Sequence, residues 1–326
     1  MPRPKVLATR PLFDAAREIL DATCDVDYWT QPDRISREEL LRRVKDREAL
    51  VCLLTERVND ELLGIAAKLR IAANVAVGFD NIDVPACTQR GVIATNTPGV
   101  LDETTADFAW TLLMAVARRI GEGEQLARSG NWKGWDLDQL CGTDVWGKTL
   151  GILGFGRIGR AVARRAQGFQ MKMIYHDAAR VSEAVEQELH AEYREFNALL
   201  AESDFISVHV PLLAETRGML SAPQFFRMKP TAYVINTSRG PVVDEAALVH
   251  ALEGGKIAGA GLDVYENEPF IHPGLKRPNV VLAPHIASAS IETRTKMACM
   301  AAENVVALFR GQRPPNMLNP EALQGS

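Results

Sequence analysis

The stretch TLGILGFGRIGRAVARRAQGFQMKMIYHD, residues 149–177, narrows the possible folds more than any other part of the chain. A short apolar run, Thr149 to Leu153, leads into Gly154-x-Gly156-x-x-Gly159, then a helix-forming segment, then a second apolar run that ends at Asp177. Gly154 permits a tight turn, Gly156 lets backbone approach a pyrophosphate, and Gly159 lets the helix lie against the strand. The Arg157 and Ile158 amides, at the helix amino terminus, offer donors and a positive dipole to phosphates. With an acidic residue ending the next strand about 20 residues on, the segment is expected to bind a dinucleotide. A carboxylate at Asp177 suits the adenosine 2'- and 3'-hydroxyls and repels a 2'-phosphate, which favours NAD over NADP. Arg180, three residues further on, is the type of cation that NADP would need.

Short apolar runs alternate with amphipathic segments along the whole chain, as in parallel sheets wound with helices on both faces. Strands are expected near Lys5–Ala8, Val26–Trp29, Ala49–Leu54, Leu69–Val77 and Val92–Thr95. A second series is expected at Thr149–Leu153, Met171–Tyr175, Phe205–Val210, Ala232–Asn236, Ala258–Asp263 and Val280–Ala283, six strands that make a full dinucleotide-binding sheet. Between the two series lies a long helical pattern from Asp102 to about Ser129, then a segment, GNWKGWDLDQLCGTDVWGK, whose tryptophans and glycines follow no period and suggest an ordered arm. A last helix is expected over Ser290–Phe309, ended by Gly311. Ser36 with Glu39 makes a capping box.

The 326 residues, 47% hydrophobic and 24% charged, suffice for two domain cores. A net charge of -4 with dispersed basic residues argues against nucleic-acid and membrane-surface partners. The amino-terminal MPRPKVLATR carries no apolar run of the kind a secretory signal needs, and no stretch elsewhere approaches a membrane span. The five scattered cysteines suit reduced thiols rather than a disulfide framework or a metal site. A cytoplasmic protein with a small-molecule partner is expected.

Hydride transfer to a 2-oxo acid leaves a developing alkoxide, so it needs a proton donor, a cation for the carboxylate and exclusion of water. Arg239 in INTSRGP, Glu268 in DVYENEP and His285 in LAPHIAS each follow an apolar strand of the second series. Singly, these are ordinary strand-end residues. Together they fall at the carboxyl edge of the sheet that carries the glycine turn, where doubly wound sheets bind ligands.

The motifs VGFDNID, TPGVLDETTAD, the glycine turn, HVPL, NTSRG, GLDVYENEP and PHIAS, in this order over nearly the whole length, resemble the D-isomer-specific 2-hydroxyacid dehydrogenase family, most closely its glyoxylate/hydroxypyruvate reductase branch. The resemblance implies a Rossmann nucleotide domain over residues 100–288. It also implies a smaller flavodoxin-like α/β substrate domain from residues 1–99 and 289–326. It implies that Arg239 binds the substrate carboxyl and keto oxygens, that Glu268 orients His285 and that His285 is the acid/base. A carboxylate beside one imidazole nitrogen favours the charged ring that reduction needs. For the substrate it further implies Leu53, Val77, Gly78 and Ser288, with Leu54 beside the side-chain pocket. For the cofactor it implies Thr105, Val210, Pro211, Thr216, Thr237, His285 and Asp263, the last through the carboxamide. No metal is implied.

Within the resemblance, formate dehydrogenases carry glutamine at the position of Glu268, and phosphite dehydrogenases carry lysine at the position of Val77. Both branches are disfavoured on those residues, the second remaining an alternative. A non-catalytic NAD-sensing corepressor is the rival of another class. Such relatives are extended by disordered tails, and this chain ends soon after its last helix, so an enzyme is expected. A tryptophan of the arm reaches the neighbouring subunit's site in glyoxylate reductases, so Trp135 implies a homodimer.

Overall fold

The computed structural model describes residues 2–325. The chain divides into two compact units, Met1–Leu101 with Ala289–Ser326, and Asp102–Ser288. The terminal Met1 and Ser326 lie outside the described residues.

In the first unit β1 (Lys5–Ala8), α1 (Asp14–Asp21), β2 (Asp25–Tyr28), α2 (Arg37–Val44), β3 (Ala49–Cys52), α3 (Asp60–Ile65), β4 (Ile71–Asn74), α4 (Val84–Gln89) and β5 (Ile93–Thr95) follow one another. Every ladder is parallel and the strand order is β2-β1-β3-β4-β5, the flavodoxin-like arrangement. Alternate residues feed opposite faces. Val6, Ala8, Val51 and Ala73 enter one core, while Leu7, Leu50, Cys52 and Ala72 enter the other. Burial on both faces is why these strands are continuous apolar runs rather than alternating ones. The expected strand Leu69–Val77 is shorter than its apolar run, and Val75–Val77 leaves the sheet as a loop. Ser36 Oγ accepts the Glu39 amide at 3.2 Å, but the reciprocal half of the capping box is replaced, since the Glu39 carboxylate binds Arg42 and Arg43.

The second unit runs α5 (Asp102–Ala117), α6 (Ile120–Ser129), β6 (Thr149–Leu153), α7 (Arg157–Gln167), β7 (Lys172–His176), α8 (Glu183–Leu189), β8 (Ala191–Tyr193), α9 (Phe196–Glu202), β9 (Phe205–Val208), α10 (Ala222–Phe225), β10 (Tyr233–Asn236), α11 (Glu245–Glu253), β11 (Gly259–Leu262) and β12 (Val280–Leu282). Its strands form one parallel sheet in the order β12-β11-β10-β9-β6-β7-β8. That is the doubly wound dinucleotide-binding order with one strand added beyond β11. The chain then returns to the first unit as α12 (Ile291–Phe309), capped by Ser290 Oγ on the Thr293 amide and packed on α1 and β4.

Two expectations about this unit change. The continuous helix from Asp102 to Ser129 is two helices, with Arg119 left-handed between them (φ 53°). The returning segment supplies the reason: the Thr143 amide donates to the Ala117 carbonyl at 2.8 Å, and Gly142 packs directly against the same carbonyl, so the first helix is capped by residues distant in sequence. The sheet also gains β8, an edge strand of three residues, too short to show a period.

Candidate active site

The glycine turn leaves the carboxyl end of β6, which pairs with β7 on one side and β9 on the other, the point at which the winding reverses. Gly154 has φ 89°, and a Cβ there would stand 2.6 Å from both the His209 carbonyl carbon and the Val210 nitrogen just past β9. A Cβ on Gly159 would collide with the Gly154 carbonyl, so α7 lies directly on the turn. Gly156 differs: nothing stands within 4 Å of its Cβ position, and Gly156 and Arg157 are exposed at the start of α7. The turn is thus closed against protein at its outer glycines and open at the middle one, which fits a dinucleotide pyrophosphate at the α7 amides.

Asp177, one residue beyond β7, accepts the Phe155 amide at 2.6 Å on Oδ2 and the Ala178 amide at 2.7 Å on Oδ1. Those bonds fix its carboxylate beside the turn and leave lone pairs for further donors. Arg180 is turned to another task. Its Nε and Nη2 donate to the two carboxylate oxygens of Glu186, each at 2.8 Å, and the same Glu186 accepts the Tyr175 hydroxyl at 2.6 Å.

Arg239, Glu268 and His285 follow β10, β11 and β12, three adjacent strands of one parallel sheet, so all three leave its carboxyl edge. The Arg239 loop is tied by Asn236, whose Oδ1 accepts the Ser238 amide (3.0 Å) and hydroxyl (2.9 Å) while its Nδ2 donates to the Arg239 carbonyl (3.0 Å). Glu268 Oε1 accepts the Tyr265 amide at 3.1 Å and Oε2 contacts His285 Nδ1 at 2.8 Å. Burial opposes the charge on Glu268. The His285 hydrogen bond and charge, the Tyr265 amide and the Arg239 guanidinium outweigh it and hold the carboxyl below the usual range.

His285 has a left-handed backbone (φ 56°), uncommon for a residue other than glycine and tolerated where surroundings over-determine it. Asp263 does so. Its carbonyl accepts the His285 amide at 2.8 Å, and its Oδ1 and Oδ2 accept the Ile286 and Ala287 amides at 2.7 and 2.8 Å. Asp263, expected on the cofactor carboxamide, is fully buried, and burial pushes its carboxyl up against the pull of those two amides.

Of the other expected cofactor residues, Thr237 carries a buried hydroxyl that finds no hydrogen-bond partner among the described residues. Thr105 is buried on α5 and Val210 is buried after β9, while Pro211 is exposed. The Thr216 hydroxyl donates to the Pro211 carbonyl at 2.6 Å and accepts the Leu213 amide at 2.8 Å, closing the loop between them. Ser288 is half-buried. In the other unit, Leu53, Leu54, Val77 and Gly78 are half-buried at the carboxyl edge of its sheet. The Val77 and Gly78 carbonyls are held by Asn96 Nδ2 (2.7 Å) and Asn74 Nδ2 (2.9 Å). Asn81 Nδ2 ties this loop to the Leu53 and Glu56 carbonyls, both at 3.0 Å.

The sequence model of the family described as D-isomer specific 2-hydroxyacid dehydrogenase, NAD binding domain, matches residues 110–287. A glyoxylate reductase of Korarchaeum cryptofilum is 52% identical over 325 residues, covering 99% of this chain and 98% of the relative. The chain belongs to the D-isomer specific 2-hydroxyacid dehydrogenases. It is an NAD(P)-dependent oxidoreductase of 2-hydroxy acids in the glyoxylate reductase branch. Among solved structures, a glyoxylate reductase from Paecilomyes thermophila superposes with a TM-score of 0.87 at 33% identity, over 98% of this chain and 99% of that one. An NADPH-dependent glyoxylate/hydroxypyruvate reductase from Sinorhizobium meliloti, in complex with NADP and malonate, does so with 0.85 at 33%, over 98% of each chain.

Within each unit, several residues that hold these loops carry little signal in the sequence. Asn74, Asn81 and Asn96 fasten the Val77–Gly78 loop, Asn236 fastens the Arg239 loop, and Gly240 and Glu245 touch the backbone ahead of Glu268. A weak signal exists for the first four. Asn74, Asn96 and Asn236 are polar residues in or just past an apolar strand, where a side chain that bonds backbone substitutes for the sheet ladder, and Asn81 is a turn residue in the loop after β4.

Proposed function

We propose that this dehydrogenase reduces a small 2-oxo acid, glyoxylate or hydroxypyruvate first among candidates, to the D-2-hydroxy acid and runs the reverse oxidation, with NAD as cofactor. The 2.8 Å contact between His285 Nδ1 and Glu268, beside Arg239 at the carboxyl edge of the sheet, carries this reading. Bound NAD(H) supplies or takes up the hydride at the substrate's second carbon. With Nδ1 occupied by Glu268, Nε2 is the His285 atom left to give the oxygen its proton in reduction and to remove it in oxidation. Glu268, held below the usual carboxylate range, fixes the tautomer and the orientation of the ring. The planar fork of Arg239 suits the carboxylate and keto oxygen together.

The Val77 and Gly78 amides donate to no acceptor among the described residues, which supports giving them the substrate carboxylate, with Leu53 and Ser288 as further contacts. The glycine turn, the Arg157 and Ile158 amides and Asp177 hold the dinucleotide, with Thr105, Val210, Pro211, Thr216 and Thr237 along it. The unpaired hydroxyl of Thr237 supports its assignment. Two observations support NAD over NADP: the Asp177 carboxylate is fixed beside the glycine turn, where its charge would repel a 2'-phosphate, and Arg180 is committed to Glu186. Oxidation of NADH and of NADPH with a panel of 2-oxo acids tests all of this. The expected result is turnover with glyoxylate or hydroxypyruvate and a kcat/KM about tenfold or more higher with NADH, the scale of a single charge-assisted hydrogen bond. No turnover with any 2-oxo acid overturns the activity, and a preference for NADPH overturns the cofactor assignment.

We also propose a homodimer built on the arm between α6 and β6. Helix α6 buries no residue, and Trp132, Trp135, Leu137 and Trp146 are 56%, 82%, 79% and 65% exposed. Apolar surface concentrated in this way marks an interface. Light scattering is expected to give twice the chain mass, and Trp135→Ala to alter the ranking of 2-oxo acids. A monomeric mass overturns the dimer.

A further inference from the structure

The peptide between Tyr265 and Glu266 is held by two residues, Gly240 and Glu245. Gly240, next to Arg239, lies against it so closely that a Cβ on Gly240 would meet the Glu266 nitrogen at 2.5 Å and the Tyr265 carbonyl closer still. Glu245 also reaches this peptide, accepting the Glu266 amide on Oε1 at 2.6 Å. Glu245 is the first residue of α11 and is 6% exposed. The helix does not require it, because Asp244 is the cap and accepts the Ala247 amide at 2.9 Å. A carboxylate in such a place is expensive to bury. Burial pushes the Glu245 carboxyl up, and the neighbouring Glu266 and Glu268 push the same way, against the Glu266 amide and His272. The Glu266 amide that it holds is one bond along the chain from Tyr265 and two residues before Glu268. The Tyr265 amide in turn holds Glu268 Oε1, whose other oxygen holds His285.

We propose that Glu245 is a positioning residue for the Glu268–His285 pair: through the Glu266 amide it fixes the loop from which Glu268 reaches His285. This rests on the acid–base role given above to His285. The chain of contacts runs from the α11 amino terminus through Glu245, the Tyr265–Glu266 peptide and Glu268 to the imidazole. The Arg239 loop bears on the same peptide through Gly240.

The test is a cycle of Glu245→Met, Glu245→Gln and Glu268→Gln, with hydrogen exchange across residues 265–268 read alongside kinetics. Glutamine keeps an acceptor for the Glu266 amide, whereas methionine fills the space without one. Glu245→Met is expected to lower kcat roughly 10- to 100-fold, the cost of a misplaced catalytic group, with KM for NADH unchanged. Glu245→Gln keeps most of the activity. In the Glu268→Gln background Glu245→Met costs little more, since both act through one contact. Exchange at 265–268 is faster in Glu245→Met and near wild type in Glu245→Gln. A loss that multiplies with that of Glu268→Gln, a KM for NADH that changes with kcat, or unchanged exchange overturns the proposal. Should the wild type reduce no 2-oxo acid, the acid–base reading fails by itself, and the exchange measurement still decides whether Glu245 holds the loop.

Discussion

Replacing His285 with glutamine is expected to lower kcat about a thousandfold, within the range general acid–base catalysis contributes and equivalent to roughly 4 kcal/mol of barrier. NADH binding, followed by fluorescence titration, stays nearly intact, because the glycine turn, Asp177 and α7 follow β6 and β7 and the Asp177 carboxylate is held by the Phe155 and Ala178 amides, not by His285. One complication lies in the backbone. At φ 56° a glutamine is less at ease than histidine, so a folding defect would imitate a chemical one. His285→Asn removes it, since asparagine tolerates the left-handed region and has no group that titrates near neutrality. The Asp263 bonds to the Ile286 and Ala287 amides remain in both variants. If either variant turns over a 2-oxo acid within tenfold of wild type, His285 is not the proton carrier.

How much of this was legible in the sequence depended on how far each contact spans. The glycine turn was plain because all its parts lie within residues 149–177, and each glycine answers a local demand that the structure repeats: a positive φ at Gly154, contact at Gly159, open space at Gly156. The carboxyl-edge placement of Arg239, Glu268 and His285 was also legible, since each follows an apolar run and parallel strands send their carboxyl ends one way. What could not be read is what holds those residues. Gly240 meets Tyr265, and Glu245 meets Glu266, only because β10 and β11 are neighbours with Asn236 beside Leu262, a fact of pairing that local pattern does not contain. The break at Arg119 has the same origin, being imposed by Gly142 and Thr143 on the far side of the arm. Asp263 shows the converse. Its place at the end of β11 was visible, yet its burial and its two bonds to the His285 loop give it work within the protein that its position did not disclose.

Gly240→Ala is expected to do more damage than its single methyl suggests. In RGP the glycine looks like an ordinary turn residue, but its φ is not in the left-handed region and alanine has no conformational objection to the site. The objection is contact. The new Cβ meets the Tyr265 carbonyl and the Glu266 nitrogen, which are backbone atoms with no rotamer to change. Tyr265 cannot easily withdraw, because it is buried, its hydroxyl is bonded to the Ala283 carbonyl at 2.8 Å and its amide to Glu268. Either the Arg239 loop or the Glu268 loop must shift. A displacement near 1 Å of either is expected to cost about a hundredfold in kcat/KM for the 2-oxo acid. Overpacking adds about 1–3 kcal/mol of destabilisation, a fall in Tm of roughly 2–10 °C for a unit of this size. Gly156→Ala is the contrast, since its Cβ enters open space: Tm should hold while KM for NADH rises, the methyl occupying the approach of the pyrophosphate. If Gly240→Ala keeps wild-type kcat/KM, the close packing of the Arg239 loop on the Tyr265–Glu266 peptide is not what aligns the site.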